Sequence, residues 1–85
     1  PNPSYSGEAA FAYTVPQDGA SVSVVLYDVT GRIVQTLVDR YCGEGTHEVV
    51  WDGRSRDGQN VGSGVYFCRA AIGEWLGGTK VTFVR

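Results

Sequence analysis

The segment from Gly45 to Cys68 constrains this chain more than any other. Thr46 to Trp51 is an extended run in which His47, Val49 and Trp51 share one face, because side chains alternate across a strand. Asp52-Gly53 and Asp57-Gly58 follow in quick succession, and Asp-Gly pairs supply the left-handed backbone angles that tight reversals need. A second extended run, Gly64 to Ala71, then puts Tyr66, Cys68 and Ala70 on one face. Strand, double turn, strand is the way a β-sandwich is built. Nothing in the segment arranges groups for a reaction, so function is to be sought in how the module is recognised or attached.

The rest of the chain extends the pattern. Ala9 to Val15 alternates with Phe11, Tyr13 and Val15 on one face, and Pro16 ends it. Ser21 to Val29 turns Val22, Val24 and Leu26 inward and Ser21 and Ser23 outward. Thr30-Gly31 reverses the chain, and Arg32 to Val38 returns as a strand that its β-branched residues favour over a helical turn. A loop from Asp39 to Gly45 carries Cys42. A hairpin from Gly73 to Gly78 leads to a last strand, Thr79 to Val84. Six or seven short antiparallel strands, with turn signals at nearly regular spacing, predict an all-β, immunoglobulin-like sandwich. No change of composition marks a linker, so residues 1–85 are read as one domain.

At 85 residues the core is modest, since a chain of this size buries only about two-thirds of its extended surface. The formal net charge is −2, and Lys and Arg are scattered rather than striped, which argues against a nucleic-acid surface. No apolar run is long enough to span a membrane, so membrane insertion is not expected. The start at Pro1 rather than Met leads us to expect a piece of a longer polypeptide, with targeting information upstream.

Four groups of residues invite a chemical reading. His47 is the only histidine, and its alternation with Val49 and Trp51 makes it a packing residue rather than a general base. Asp52, Asp57 and Asn60 lie in a glycine-rich loop, but Arg54 and Arg56 stand where calcium would need ligands, so no metal or other cofactor is expected. Trp51, Trp75, Tyr5 and Tyr41 could stack on sugars, although the alternation assigns Trp51 to the core. Cys42 and Cys68 are the only cysteines, and the sequence leaves a disulfide and two buried free thiols both open. An enzyme is not expected.

Taken in order, Pro1-Asn2-Pro3, Phe11-x-Tyr13-x-Val15-Pro16, Leu26-Tyr27-Asp28-Val29-Thr30-Gly31-Arg32, Gly45-x-His47-x-Val49-x-Trp51-Asp52-Gly53, Ser63-Gly64-Val65-Tyr66-Phe67 and the closing Lys80 to Arg85 resemble a known family. They resemble the C-terminal sorting domains of type IX secretion cargo (type A), which are close in sequence to the immunoglobulin-like domain of the flagellar hook-capping protein. The resemblance spans essentially the whole chain. It implies a non-catalytic module that directs export of a bacterial cargo protein through the periplasm and anchors it on the cell surface or outside the cell. Its partners would be the secretion machinery or its own cargo domain.

The resemblance assigns recognition to Pro1, Asn2, Pro3, Gly64, Tyr66, Lys80 and Arg85. Gly64 and Tyr66 have a structural reading of equal weight, as a turn glycine and a core tyrosine. Cys42 and Cys68 depart from the family's apolar positions, so a bridge between them would belong to this protein alone. The alternative function is a structural immunoglobulin-like subunit or repeat, which self-associates into an extracellular homo-oligomer or filament or braces a neighbouring domain through sheet-edge pairing.

Overall fold

The structure, a computed structural model, describes residues 7–85, so Pro1, Asn2, Pro3 and Tyr5 lie outside the described residues. Six antiparallel strands follow one another: β1 (Ala9–Val15), β2 (Ala20–Tyr27), β3 (Ile33–Cys42), β4 (Gly45–Trp51), β5 (Gly64–Ile72) and β6 (Trp75–Phe83). They form a four-stranded sheet in the order β3-β2-β5-β6 and a two-stranded sheet of β1 with β4. With no helix among the described residues, this all-β sandwich is the predicted fold class.

β2 carries the centre of the molecule because its two faces differ sharply. Val22, Val24 and Leu26 point into the core, while the residues between them do not. Its flanking strands pair along nearly its full length, β3 on one side and β5 on the other. The register against β3 slips between Val24 and Val25 and again between Leu26 and Tyr27, bulges that bend the strand. The reversal between β2 and β3 is held by Asp28, whose Oδ1 accepts from Thr30 N (2.9 Å), Thr30 Oγ1 (2.6 Å) and Arg32 N (3.0 Å). That carboxylate captures backbone donors the turn would otherwise leave unpaired.

Two expected boundaries move. Cys42 is not in a loop: β3 runs on to it, and the turn to β4 is only Gly43–Glu44. Gly77 and Gly78 are not hairpin residues either. They pair with Ala70 and Arg69 inside β6, and the turn contracts to Gly73–Glu74, where Gly73 takes φ +60°. Glycine signals turns because it tolerates unusual backbone angles, but here it also permits close packing within a strand.

β4 leaves β3 at that tight turn and delivers Trp51 to β5 and β6 at its other end. Trp51 is fully buried, its ring centroid 4.7 Å from Phe83 and 5.2 Å from Tyr66. Its indole N–H donates to Arg54 O at 2.9 Å, so the buried polar edge is satisfied.

Candidate functional site

The residues expected to act in recognition separate into two places. Gly64, Tyr66 and Arg85 gather at the end of the sandwich where Trp51 and Phe83 meet. The Tyr66 ring packs edge-on to both, and its hydroxyl donates to Gly62 O at 2.7 Å. Burial, with the charge of Asp28 adding to it, pushes the Tyr66 phenol above its ordinary value. Arg85 lies over the Phe83 ring at 5.3 Å. Its guanidinium donates to Val61 O (2.9 Å) and Gly53 O (2.6 Å), and its backbone N–H donates to Ser63 Oγ (2.9 Å). These contacts latch the chain's last residue onto the loop between β4 and β5. Gly64 opens β5 opposite Phe83 with no positive φ and open space around a notional Cβ. The turn-glycine reading therefore finds no steric or conformational support.

Lys80 stands elsewhere. It pairs with Phe67 on the outer face of the four-stranded sheet, where both are exposed. Lys80 and Arg85 are thus not one basic patch, although both lie near the end of the sequence.

The remaining candidates are absorbed by local structure. His47 Nε2–H donates to Gly43 O at 2.8 Å, and the ring stacks on Tyr13 at 5.3 Å with planes 13° apart. Asp52 Oδ1 accepts from Arg54 N, and Asp57 accepts from the Ser55 hydroxyl, a bond that holds its carboxyl below the usual range. Both serve turns, and Arg54 pairs with Asn60 across the loop. Trp51, being buried, is not available to a sugar. Trp75 and Tyr41 are exposed but point to opposite faces by the alternation of their strands.

Of the two alternatives for the cysteines, the structure adopts free thiols, both buried. Cys42 pairs across from Ala20 and Cys68 from Leu26, at opposite ends of β2. Six residues of strand put roughly 20 Å between those positions, beyond any disulfide's reach. Burial pushes the Cys68 thiol up to about 11, which leaves it protonated and unreactive near neutrality.

Sequence reasoning missed one feature. A groove of about 630 Å³ opens between β1 and the inner side of β5 and β6, walled by Phe11, Tyr13, Ile72 and Trp75 and free of charged residues. It exists because two strands cover four. Trp75 leans over Gly77, where any Cβ would strike its ring. No local pattern announces this groove, since it depends on how many strands each sheet receives.

Comparison with known proteins bears on the functional reading. The family model described as the FlgD Ig-like domain matches residues 4–72. Basal-body rod modification protein FlgD of Salmonella typhimurium (strain LT2) is 34% identical over 71 residues, covering 84% of this chain and 30% of that protein. The protein of the same name from Salmonella typhi matches to the same extent. The chain therefore spans less than a third of these curated relatives. No solved structure matches it significantly. These matches correct the expectation of a type IX secretion signal that sorts and anchors cargo. The family model matched over residues 4–72 is that of the flagellar immunoglobulin-like domain, and four of the six motifs that suggested the sorting domain fall inside that match, whereas Pro1-Asn2-Pro3 and Lys80 to Arg85 fall outside it.

Proposed function

Because the chain belongs to the FlgD Ig-like domain family, we propose that it is a structural, non-catalytic module of a flagellar rod or hook assembly protein. The observation that carries this reading is the family match across residues 4–72, joined by relatives named for modifying the basal-body rod. The geometry agrees with it. The His47, Asp52 and Asp57 side chains are committed to turns and packing, and exposed apolar side chains, among them Val50, Phe67, Trp75 and Leu76, are available for protein contact. In this reading the partners are other proteins of the assembly, among them further copies of the module, and the working location is the flagellar structure outside the cell membrane.

The test is a graft. This chain replaces the matched segment of the Salmonella FlgD protein, and hook assembly and swimming are scored. Restored assembly supports the reading. A graft that is folded and exported yet builds no hooks, while the unaltered protein does so from the same plasmid, would overturn it.

A further inference from the structure

The outer faces of the two sheets are opposite in character. On the four-stranded sheet, Lys80, Phe67 and Tyr27 lie side by side across β6, β5 and β2, with Gly78 and Arg69 in the next row. Phe67 and Leu76 are exposed, the latter at 73%. Arg69 rests 5.8 Å from the Tyr27 ring, and neither it nor Lys80 forms an ion pair among the described residues. The missing side chain at Gly78 helps open a shallow dip of about 510 Å³ bordered by Arg69 and Leu76. Asp39, a carboxylate of the same face, stands on the far edge strand β3.

The two-stranded sheet presents the complement. Its outward positions pair Ala10 with Val50 and Ala12 with Glu48. The alanines make this face flat, Val50 is 47% exposed, and Glu48 forms no ion pair among the described residues.

We propose that these faces are the two halves of one interface between copies of this chain. The flat face of one copy would sit on the four-stranded sheet of the next, with Glu48 between Arg69 and Lys80 and Val50 in the dip beside Gly78. The inference rests on the structural-subunit reading and names its partner. Charge complementarity selects the occupant: two uncompensated cations beside apolar side chains call for a flat apolar surface bearing a carboxylate, and the chain carries one on its opposite side. Such a contact is heterologous, because each copy uses a different surface to face its two neighbours. It therefore propagates into a ring or a filament rather than closing as a two-fold dimer.

The contact is small. Two strands of seven residues span roughly 24 Å by 10 Å, a few hundred Å² per copy against about 800 Å² in a standard interface. It should be weak between free chains and become effective where an assembly holds the modules side by side.

Solution mass decides the matter. Light scattering of the free chain between ~10 μM and ~1 mM should show mass rising above the 9.1 kDa monomer, and added salt should suppress the rise. Arg69→Glu and Glu48→Arg should each weaken association at least ~10-fold. An equimolar mixture of the two should associate again, since each reversed face then meets a reversed partner. Val50→Ser, which leaves the charges alone, should also weaken it, and the near-ultraviolet signal of Trp51 checks that each variant is folded. A mass fixed at the monomer value, or association indifferent to both reversals, overturns the interface. Either result would leave a successful graft standing, whereas a failed graft with association intact would fault the flagellar reading instead.

Discussion

Arg85 and Gly53 meet where the last strand ends: the guanidinium donates to the Gly53 carbonyl at 2.6 Å, and a Cβ on Gly53 would lie 2.5 Å from that same guanidinium nitrogen. Gly53 also holds φ +78° and would meet the Phe83 ring at 2.5 Å. One position thus carries a conformational demand and a steric one. Gly53→Ala should cost about 2–4 kcal/mol, read as a lowered denaturant midpoint at unchanged slope.

Truncating the other partner is milder. Arg85→Ala should cost about 1–2 kcal/mol, because it strips a charged donor from the Gly53 and Val61 carbonyls while water partly replaces it. Arg85→Lys should recover less than half of that loss, since a single ammonium cannot reproduce the planar guanidinium fork. Thermal unfolding of the three proteins makes the comparison.

Trp51→Phe should cost about 2–3 kcal/mol. It removes volume from a fully buried site and deprives the Arg54 carbonyl of its 2.9 Å donor. Chemical denaturation followed by circular dichroism measures this, and an unchanged midpoint would contradict the packing described for the aromatic cluster.

The cysteines supply a redox prediction. With free thiols at opposite ends of β2, the denaturation midpoint should be the same with and without reductant, whereas a bridge would contribute about 2–4 kcal/mol. Labelling by a thiol reagent should be at least ~100-fold slower in the native protein than in denaturant, because both thiols are buried and Cys68 is held protonated.

Acid should loosen the turns. Hydrogen bonds from Thr30 and from the Arg32 backbone lower the carboxyl of Asp28, and the Ser55 hydroxyl lowers that of Asp57. A group lowered on folding contributes stability above its unfolded value of about 3.9, and loses it as pH falls through the folded value. The melting temperature should therefore drop between about pH 5 and about pH 2, and Asp28→Asn with Asp57→Asn should flatten that slope. Both groups lie at the surface, so the effect should be modest.

Much of the fold could be read from alternation. Val22, Val24 and Leu26 are buried as their spacing requires, and Trp51 is buried at the end of the run that His47 and Val49 begin. Misplaced boundaries came from residues whose local meaning is double: Gly77 and Gly78 signal a turn in isolation and form a strand once Ala70 and Arg69 lie beside them. Arg85 was harder still. A terminal cation suggests recognition, yet its carbonyl acceptors on Gly53 and Val61 belong to a loop that only the folded chain brings near. The complementary outer faces of the two sheets were hidden for a similar reason, since each is assembled from strands distant in sequence.

The strand order also sets a timetable. β2, the centre of the larger sheet, can pair with β3 as a local hairpin, but its other edge waits for β5, where Val22 meets Ile72. β1 must likewise wait for β4, and Trp51 finds Phe83 only when β6 has been made. A topology dominated by distant pairings folds slowly, on a scale of milliseconds to seconds. The aromatic cluster around Trp51 is therefore completed only once β6 has joined the larger sheet, although both strands of the smaller sheet precede β5 in the chain.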